Sequence, residues 1–243
     1  MNEPLRKTLE DHLDLDNLDT SDPGILAIET ARRELDKIPR TPELDRVYSA
    51  LEAAKEHYVT RVRESTTDKL TGLGNRRCYE ELAPEWIKNT SRLYEISDKS
   101  IGGTLLIIDA NQFKTVNDTY GHAFGDITLQ LIAEGLEHVA RPSDISFRGK
   151  ALRTGGDEYT ALLVGTKDAE AAARSFQGRL NAYVAKKIES EHPDIYARNP
   201  ELFTNITSVG HAAYGLDGTD LKTLTEKADA RMYKMKAEMK AGR

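Results

Sequence analysis

The chain has 243 residues, 39% of them hydrophobic and 30% charged, enough to bury a sizeable core in one large domain or in an ordinary domain with an extension. No apolar run approaches the roughly 18 residues that a membrane helix needs, and the start, Met1 to Leu15, is polar and acidic, so a cytoplasmic protein without membrane contact is expected. The net charge of -6 argues against a nucleic-acid partner, and the single cysteine, Cys78, excludes an intrachain disulfide or a multi-cysteine metal site. A phosphate-rich ligand would therefore need a local, metal-assisted site.

Residues 1–65 read as helices separated by breakers at Asp22-Pro23-Gly24 and Pro39-Arg40-Thr41-Pro42, and form a candidate regulatory or dimerisation module. From Pro42 to about Ser65, the residues Leu44, Tyr48, Leu51, Tyr58 and Val62 make a narrow stripe on one long helix. Such a stripe needs a partner, either the chain's own helices or the same helix of a second subunit.

From residue 66 to 243 strands and helices alternate. Thr104 to Ile108 is a short apolar run, as in a strand buried on both faces, and it ends on Asp109. A helix follows over about Asp126 to Ala140, with Leu129, Ile132, Ala133 and Leu136 as its buried stripe. Extended pieces at about Ile145 to Arg153 and Glu158 to Val164 flank Thr154-Gly155-Gly156-Asp157, a hairpin signal. Asp168 to Ser190 reads as a helix, Glu191 to Leu202 as a loop or broken helix, Phe203 to Tyr214 as a strand, and Asp220 to Lys240 as a last helix capped by Thr219 or Asp220. The order βαββαβα gives an α+β sheet with a central antiparallel hairpin, preceded by an all-helical segment. Asp109 and Asp157-Glu158 then meet at one edge of the sheet, where clustered carboxylate oxygens suit Mg²⁺. Glycines 155 and 156 let the backbone come close to a ligand.

The run Arg153-Thr154-Gly155-Gly156-Asp157-Glu158-Tyr159 resembles the signature of the GGDEF family of diguanylate cyclases, with Tyr in the place usually held by Phe. Asp68 to Arg77 (DKLTGLGNRR) resembles the family's entry motif, Asp109 to Asp118 with Gly121-His122 and Gly125-Asp126 its nucleotide-binding stretch, and Ala228 to Lys236 its closing helix. The resemblance implies a palm-like, ferredoxin-like nucleotidyl cyclase domain that condenses two GTP into cyclic di-GMP and releases two pyrophosphates. It puts Asp109, the Ala110 carbonyl, Asp157 and Glu158 around Mg²⁺, with Mn²⁺ as an alternative, and gives Asp157 the further task of accepting the hydroxyl proton. Asn117 and Asp126 occupy guanine-reading positions, a carboxylate at 126 favouring GTP over a mixed GTP and ATP substrate set. His122 stands at a position associated with the nucleotide, with a packing role as the alternative. The backbone near Phe113 and Lys114 would cradle phosphates, Lys114 would counter transition-state charge, and Lys236 and Lys240 would meet the triphosphate.

Several positions depart from the family pattern. Asn111 stands where a second Asp is common, and Lys240 where an Arg is usual. The inhibitory Arg-x-x-Asp motif appears as Arg141 to Asp144, a candidate site for cyclic di-GMP feedback, but ten residues (145–154) rather than the family's five separate it from Gly155. The sequence stops at Arg243, where family members run on into a final strand. The resemblance implies a homodimer, because each subunit holds one GTP, and the helix before Asp68 is the natural device for pairing. The alternative is a catalytically weak or inactive GTP- or cyclic di-GMP-binding module that signals through protein contacts.

Overall fold

The computed structural model describes residues 22–140 and 151–241, with the backbone alone at 151 and 239–241. The chain divides into two compact units, Met1–Ser65 and Thr66–Arg243.

In the first unit α1 (Pro23–Leu35) and α2 (Pro42–Thr66) lie side by side. Asp22 caps α1 by accepting the N–H groups of Gly24 and Ile25 at 2.8 and 3.1 Å. The stripe on α2 is used within this pair. Leu44 is buried, Tyr48 reaches Asp36, the Tyr58 hydroxyl lies 3.0 Å from Asp22, and Lys55 pairs with Glu29 at 2.6 Å. Leu44, Tyr48 and Tyr58 of the stripe are thus engaged within the chain.

The second unit is a four-stranded, wholly antiparallel sheet in the order β2-β3-β1-β4, formed by β1 (Gly102–Ala110), β2 (Ala151–Arg153), β3 (Glu158–Thr166) and β4 (Thr207–Ala213). Helix α3 (Arg76–Ile96) precedes β1; α4 (Phe113–Tyr120) and α5 (His122–Val139) follow it; α6 (Ala169–Glu191), α7 (Pro193–Arg198) and α8 (Pro200–Thr204) connect β3 to β4; α9 (Leu221–Ala241) comes last. Strand β1 is buried along almost its whole length because both faces are covered. Leu106 and Ile108 pack with Ile132, Leu136, Phe176 and Leu180 of α5 and α6, whereas Leu105 packs with Trp86 of α3 and Leu224 and Ala228 of α9. Each fully buried side chain of this size contributes about 1.5–3 kcal/mol. The Trp86 indole donates to the Leu163 carbonyl at 3.0 Å, which offsets the cost of burying its N–H.

The strands and long helices expected from the sequence are present, with shifts at their ends. β1 starts at Gly102, the helix expected from Asp126 starts at His122, and the last helix is capped by Asp220, which accepts the Thr223 N–H at 2.9 Å. Two helices were not expected. One is α3, which carries Pro84 in its interior, and the other is α4, entered from Gln112 in the left-handed region (φ 55°). Phe203, expected to open a strand, ends up in α8, and the stretch from Glu191 resolves into the short helices α7 and α8, each opened by a proline. Of the longer hairpin strand expected from Ile145, residues 151–153 pair with β3; residues 145–150, like Arg141 and Asp144, lie outside the described residues.

Candidate active site

Strand register places the acids. Asp109 is directly opposite Glu158 across the β1–β3 ladder, and side chains so opposed share one face with Cβ atoms about 5 Å apart. Two like charges in that relation repel unless a cation lies between or beside them. Lys236 of α9 supplies one here, as its ammonium forms an ion pair with Asp109 Oδ1. The oxygen is buried and Lys236 is the cation set against it. Burial lifts the Asp109 carboxyl above its ordinary pKa, Lys236 opposes the rise, and the charges of Asp157 and Glu158 add to it.

The turn between β2 and β3 closes on itself, with the Thr154 and Gly155 N–H groups donating to the Glu158 carbonyl at 3.0 and 3.2 Å. The Ala110 N–H donates to the Asp157 carbonyl at 3.0 Å, which ties the end of β1 to the turn. A Cβ on Gly155 would stand 2.8 Å from Glu158 Oε2, so glycine is what lets that carboxylate lie over the turn. Arg153 braces the same turn from outside. Its guanidinium donates to the Gly156 carbonyl (Nη2, 2.6 Å) and to Asp68 (Nη1, 2.9 Å), and Asp68 in turn accepts from Thr71 N–H and Oγ1. The entry motif is thus fastened to the turn by an ion pair that no local sequence pattern announces. Tyr159, in the place of the usual Phe, is wholly buried and donates its hydroxyl to the Leu129 carbonyl at 3.0 Å. Burial raises its pKa, the Arg153 charge opposes the rise, and the charges of Asp68 and Asp157 add to it.

Asn111 is buried and belongs to the framework. Its Nδ2 donates to the Asn205 carbonyl and its Oδ1 accepts from Ser208 Oγ, both at 2.8 Å, while its N–H donates to the Ile206 carbonyl at 2.7 Å. An Asp here could not donate to Asn205, which gives the departure from the family pattern a structural reason.

Among the described residues no three His, Cys, Asp or Glu side chains are grouped to hold a metal by themselves. The donor set nevertheless fits a hard divalent cation. Mg²⁺ is commonly held by one or two carboxylates with substrate phosphates completing its sphere, and Asp109 with Glu158 offers two opposed carboxylates beside the backbone oxygens of the turn.

The second half of the site is the corner between α4 and α5. Gly121, at φ 82°, turns the chain between them, and its N–H donates to the Asn117 carbonyl at 2.8 Å. Asn117 Oδ1 is buried without a hydrogen-bond partner among the described residues. It lies where a Cβ on Gly125 would be, 1.9 Å away, with the Phe113 ring beside the same point at 3.4 Å. Asp126, His122 and Lys114 are exposed around this corner. The first turn of α4 has no side-chain cap, so the N–H groups of Phe113 and Lys114 are available to an anion. Lys240 falls in the last turn of α9, and its side chain lies outside the described residues.

Two groups result, Asp109, Asp157, Glu158 and Lys236 at the sheet edge, and Phe113, Asn117 and Asp126 at the helix corner. Residues 65–241 match the family model for "Diguanylate cyclase, GGDEF domain". Diguanylate cyclase A of Treponema denticola is 31% identical over 182 residues, covering 71% of this chain and 42% of that protein. Probable diguanylate cyclase DgcC of Escherichia coli K12 is 31% identical over 179 residues, covering 74% and 42%. The chain thus spans about two-fifths of the length of these relatives. The coiled coil and GGDEF domain of DgcB from Caulobacter crescentus, solved with c-di-GMP, superposes with a TM-score of 0.58 at 24% identity, covering 83% of this chain and 94% of that one, a likeness of fold. With motifs, sheet topology and the family match in agreement, the chain belongs to the GGDEF family of diguanylate cyclase domains.

Proposed function

We propose that this domain condenses two GTP into cyclic di-GMP with release of two pyrophosphates. The observation that carries the reading is the opposition of Asp109 and Glu158 at the sheet edge, with Lys236 against Asp109. In each step a ribose 3′-oxygen attacks an α-phosphorus, the bond to the bridging oxygen of the β-phosphate breaks, and pyrophosphate leaves. Asp157 at the tip of the turn takes the hydroxyl proton. A bound divalent cation, Mg²⁺ or Mn²⁺, would neutralise charge on the phosphates, held by Asp109, Glu158, Asp157 and the Ala110 carbonyl. Lys114, Lys236 and Lys240 add positive charge along the triphosphate.

Guanine recognition falls to Asn117 and Asp126. Guanine presents an N–H and an NH₂ on one edge, and the buried Asn117 Oδ1, unpaired among the described residues, is an acceptor whose desolvation costs about 1–3 kcal/mol until a donor reaches it. Each subunit holds one nucleotide, so two must face each other, and pairing turns a chance encounter into an arranged one. The helical unit is the device for that homodimer. Because part of the α2 stripe already faces α1, the dimer joins two helical pairs rather than two bare helices.

Purified protein at high concentration, incubated with GTP and Mg²⁺, is expected to yield cyclic di-GMP by chromatography, and to yield none when the metal is chelated. GTP binding without product would instead favour the binding-module reading, which draws on the carboxylate missing at Asn111.

A further inference from the structure

The corner that carries Asn117 and Asp126 does not fix its own shape. Helix α4 has eight residues, too few to be stable alone, and the single link between α4 and α5 is Gly121 at φ 82°, a residue that tolerates many conformations. The spacing between the carboxamide and the carboxylate must therefore come from tertiary contacts. They come from behind, from the connection between α6 and β4. Tyr120, the last residue of α4, meets Phe124 of α5 edge to face across the corner, with ring centroids 5.4 Å apart. Both rings rest on the wholly buried Phe203 of α8, at 6.2 and 6.1 Å. His192 packs edge-on to Phe124 at 5.3 Å, Tyr196 stacks on Phe203, and Asn199 Nδ2 donates to the Tyr120 hydroxyl at 2.8 Å. The same connection ends at Asn205 and Ile206, whose carbonyls hold Asn111 just past the metal-side strand end.

We propose that the connection from His192 to Asn205 is a brace for guanine recognition, in which Asn199 and Tyr120 act as positioning residues that set the angle of the α4–α5 corner. This deepens the GTP reading above and rests on it. Neither residue touches the base; they act on Asn117 and Asp126 through the corner. Asn199 is exposed, so removing its amide takes away the bond to Tyr120 without opening the core.

Binding of a non-hydrolysable GTP analogue, of the matching ATP analogue and of inorganic tripolyphosphate, each with Mg²⁺, is measured by calorimetry on the full chain, together with KM and kcat for GTP. Asn199→Ala and Tyr120→Phe each remove one hydrogen bond and should weaken the GTP analogue by about two- to tenfold. Tripolyphosphate binding should stay within about twofold, with KM rising by the same factor as the lost affinity and kcat little changed. The double variant should be no weaker than either single one, since both delete the same bond. Asn199→Asp, which can accept the tyrosine proton instead, should bind like the wild type. Unchanged GTP-analogue affinity in the single variants, or an equal loss for tripolyphosphate, would overturn the brace while leaving the GTP reading intact. A wild-type protein that does not prefer the GTP analogue to the ATP analogue would overturn both.

Discussion

At the sheet edge Asp109 and Glu158 are placed by strand register, whereas at the α4–α5 corner Asn117 and Asp126 are placed by two short helix ends leaning on a distant segment. Register is an all-or-none property, because slipping a strand by one residue turns every side chain to the other face. A helix corner shifts by degrees. In the proposed function the reacting groups thus sit on the part that cannot drift, and base selection on the part that can be tuned from behind. Substitutions at the first should abolish turnover with binding preserved, and substitutions at the second should move affinity and selectivity.

The largest effect is expected at the turn. Asp157→Asn removes the proposed proton acceptor and should lower product formation by about 10²–10⁴-fold, measured chromatographically, with GTP-analogue affinity within a few fold of wild type. An equal loss of binding would erase the division between the two regions. Next, Gly125→Ala would put a methyl 1.9 Å from Asn117 Oδ1 and push the carboxamide aside. GTP-analogue affinity should fall by about 10- to 100-fold, the range of one or two lost hydrogen bonds, with tripolyphosphate binding retained.

A third substitution sharpens the boundary between framework and chemistry. Asn111→Asp restores the residue usual in the family but turns the donor to Asn205 into an acceptor. It should cost about 1–3 kcal/mol of stability, seen as a lower denaturant midpoint, and give no gain in turnover per folded molecule. A gain would mean that the missing carboxylate, not the buried network, governs this position.

The smallest effect lies at the opposite end of the sheet, where Arg231 grips Asp217 with two bonds of 2.7 Å. The guanidinium holds the Asp217 carboxyl below its ordinary pKa, partly opposed by burial. The folded state therefore binds that proton less readily than the unfolded chain. The pair stabilises above the ordinary carboxylate range, and its contribution is lost as pH falls through the lower folded value. Asp217→Asn should cost about 1 kcal/mol at pH 7, reduced by the solvent around the half-exposed arginine, and the difference from wild type should close as pH falls below the ordinary carboxylate range. Activity should not change.

How much of this could be read from the sequence follows the same division. The apolar run ending at Asp109 and the glycine turn before Glu158 are local patterns, and they correctly brought the acids to one edge. Helix α3 was hidden by Pro84 and by a largely polar composition, and α4 by its eight-residue length and its left-handed entry. The pairs Asp68–Arg153 and Tyr120–Asn199 join residues 85 and 79 positions apart, and no period or spacing announces such contacts. Asn111 could be seen as a departure from the family, but its reason required its partners Asn205 and Ser208.

The most direct test puts both regions to work in one reaction. Purified protein is supplied with equal GTP and ATP and Mg²⁺, and the cyclic dinucleotides are separated and identified. Cyclic di-GMP alone is expected; a product containing adenine would contradict the role proposed for Asn117 and Asp126, and the absence of any cyclic dinucleotide would contradict the role proposed for Asp109, Asp157 and Glu158.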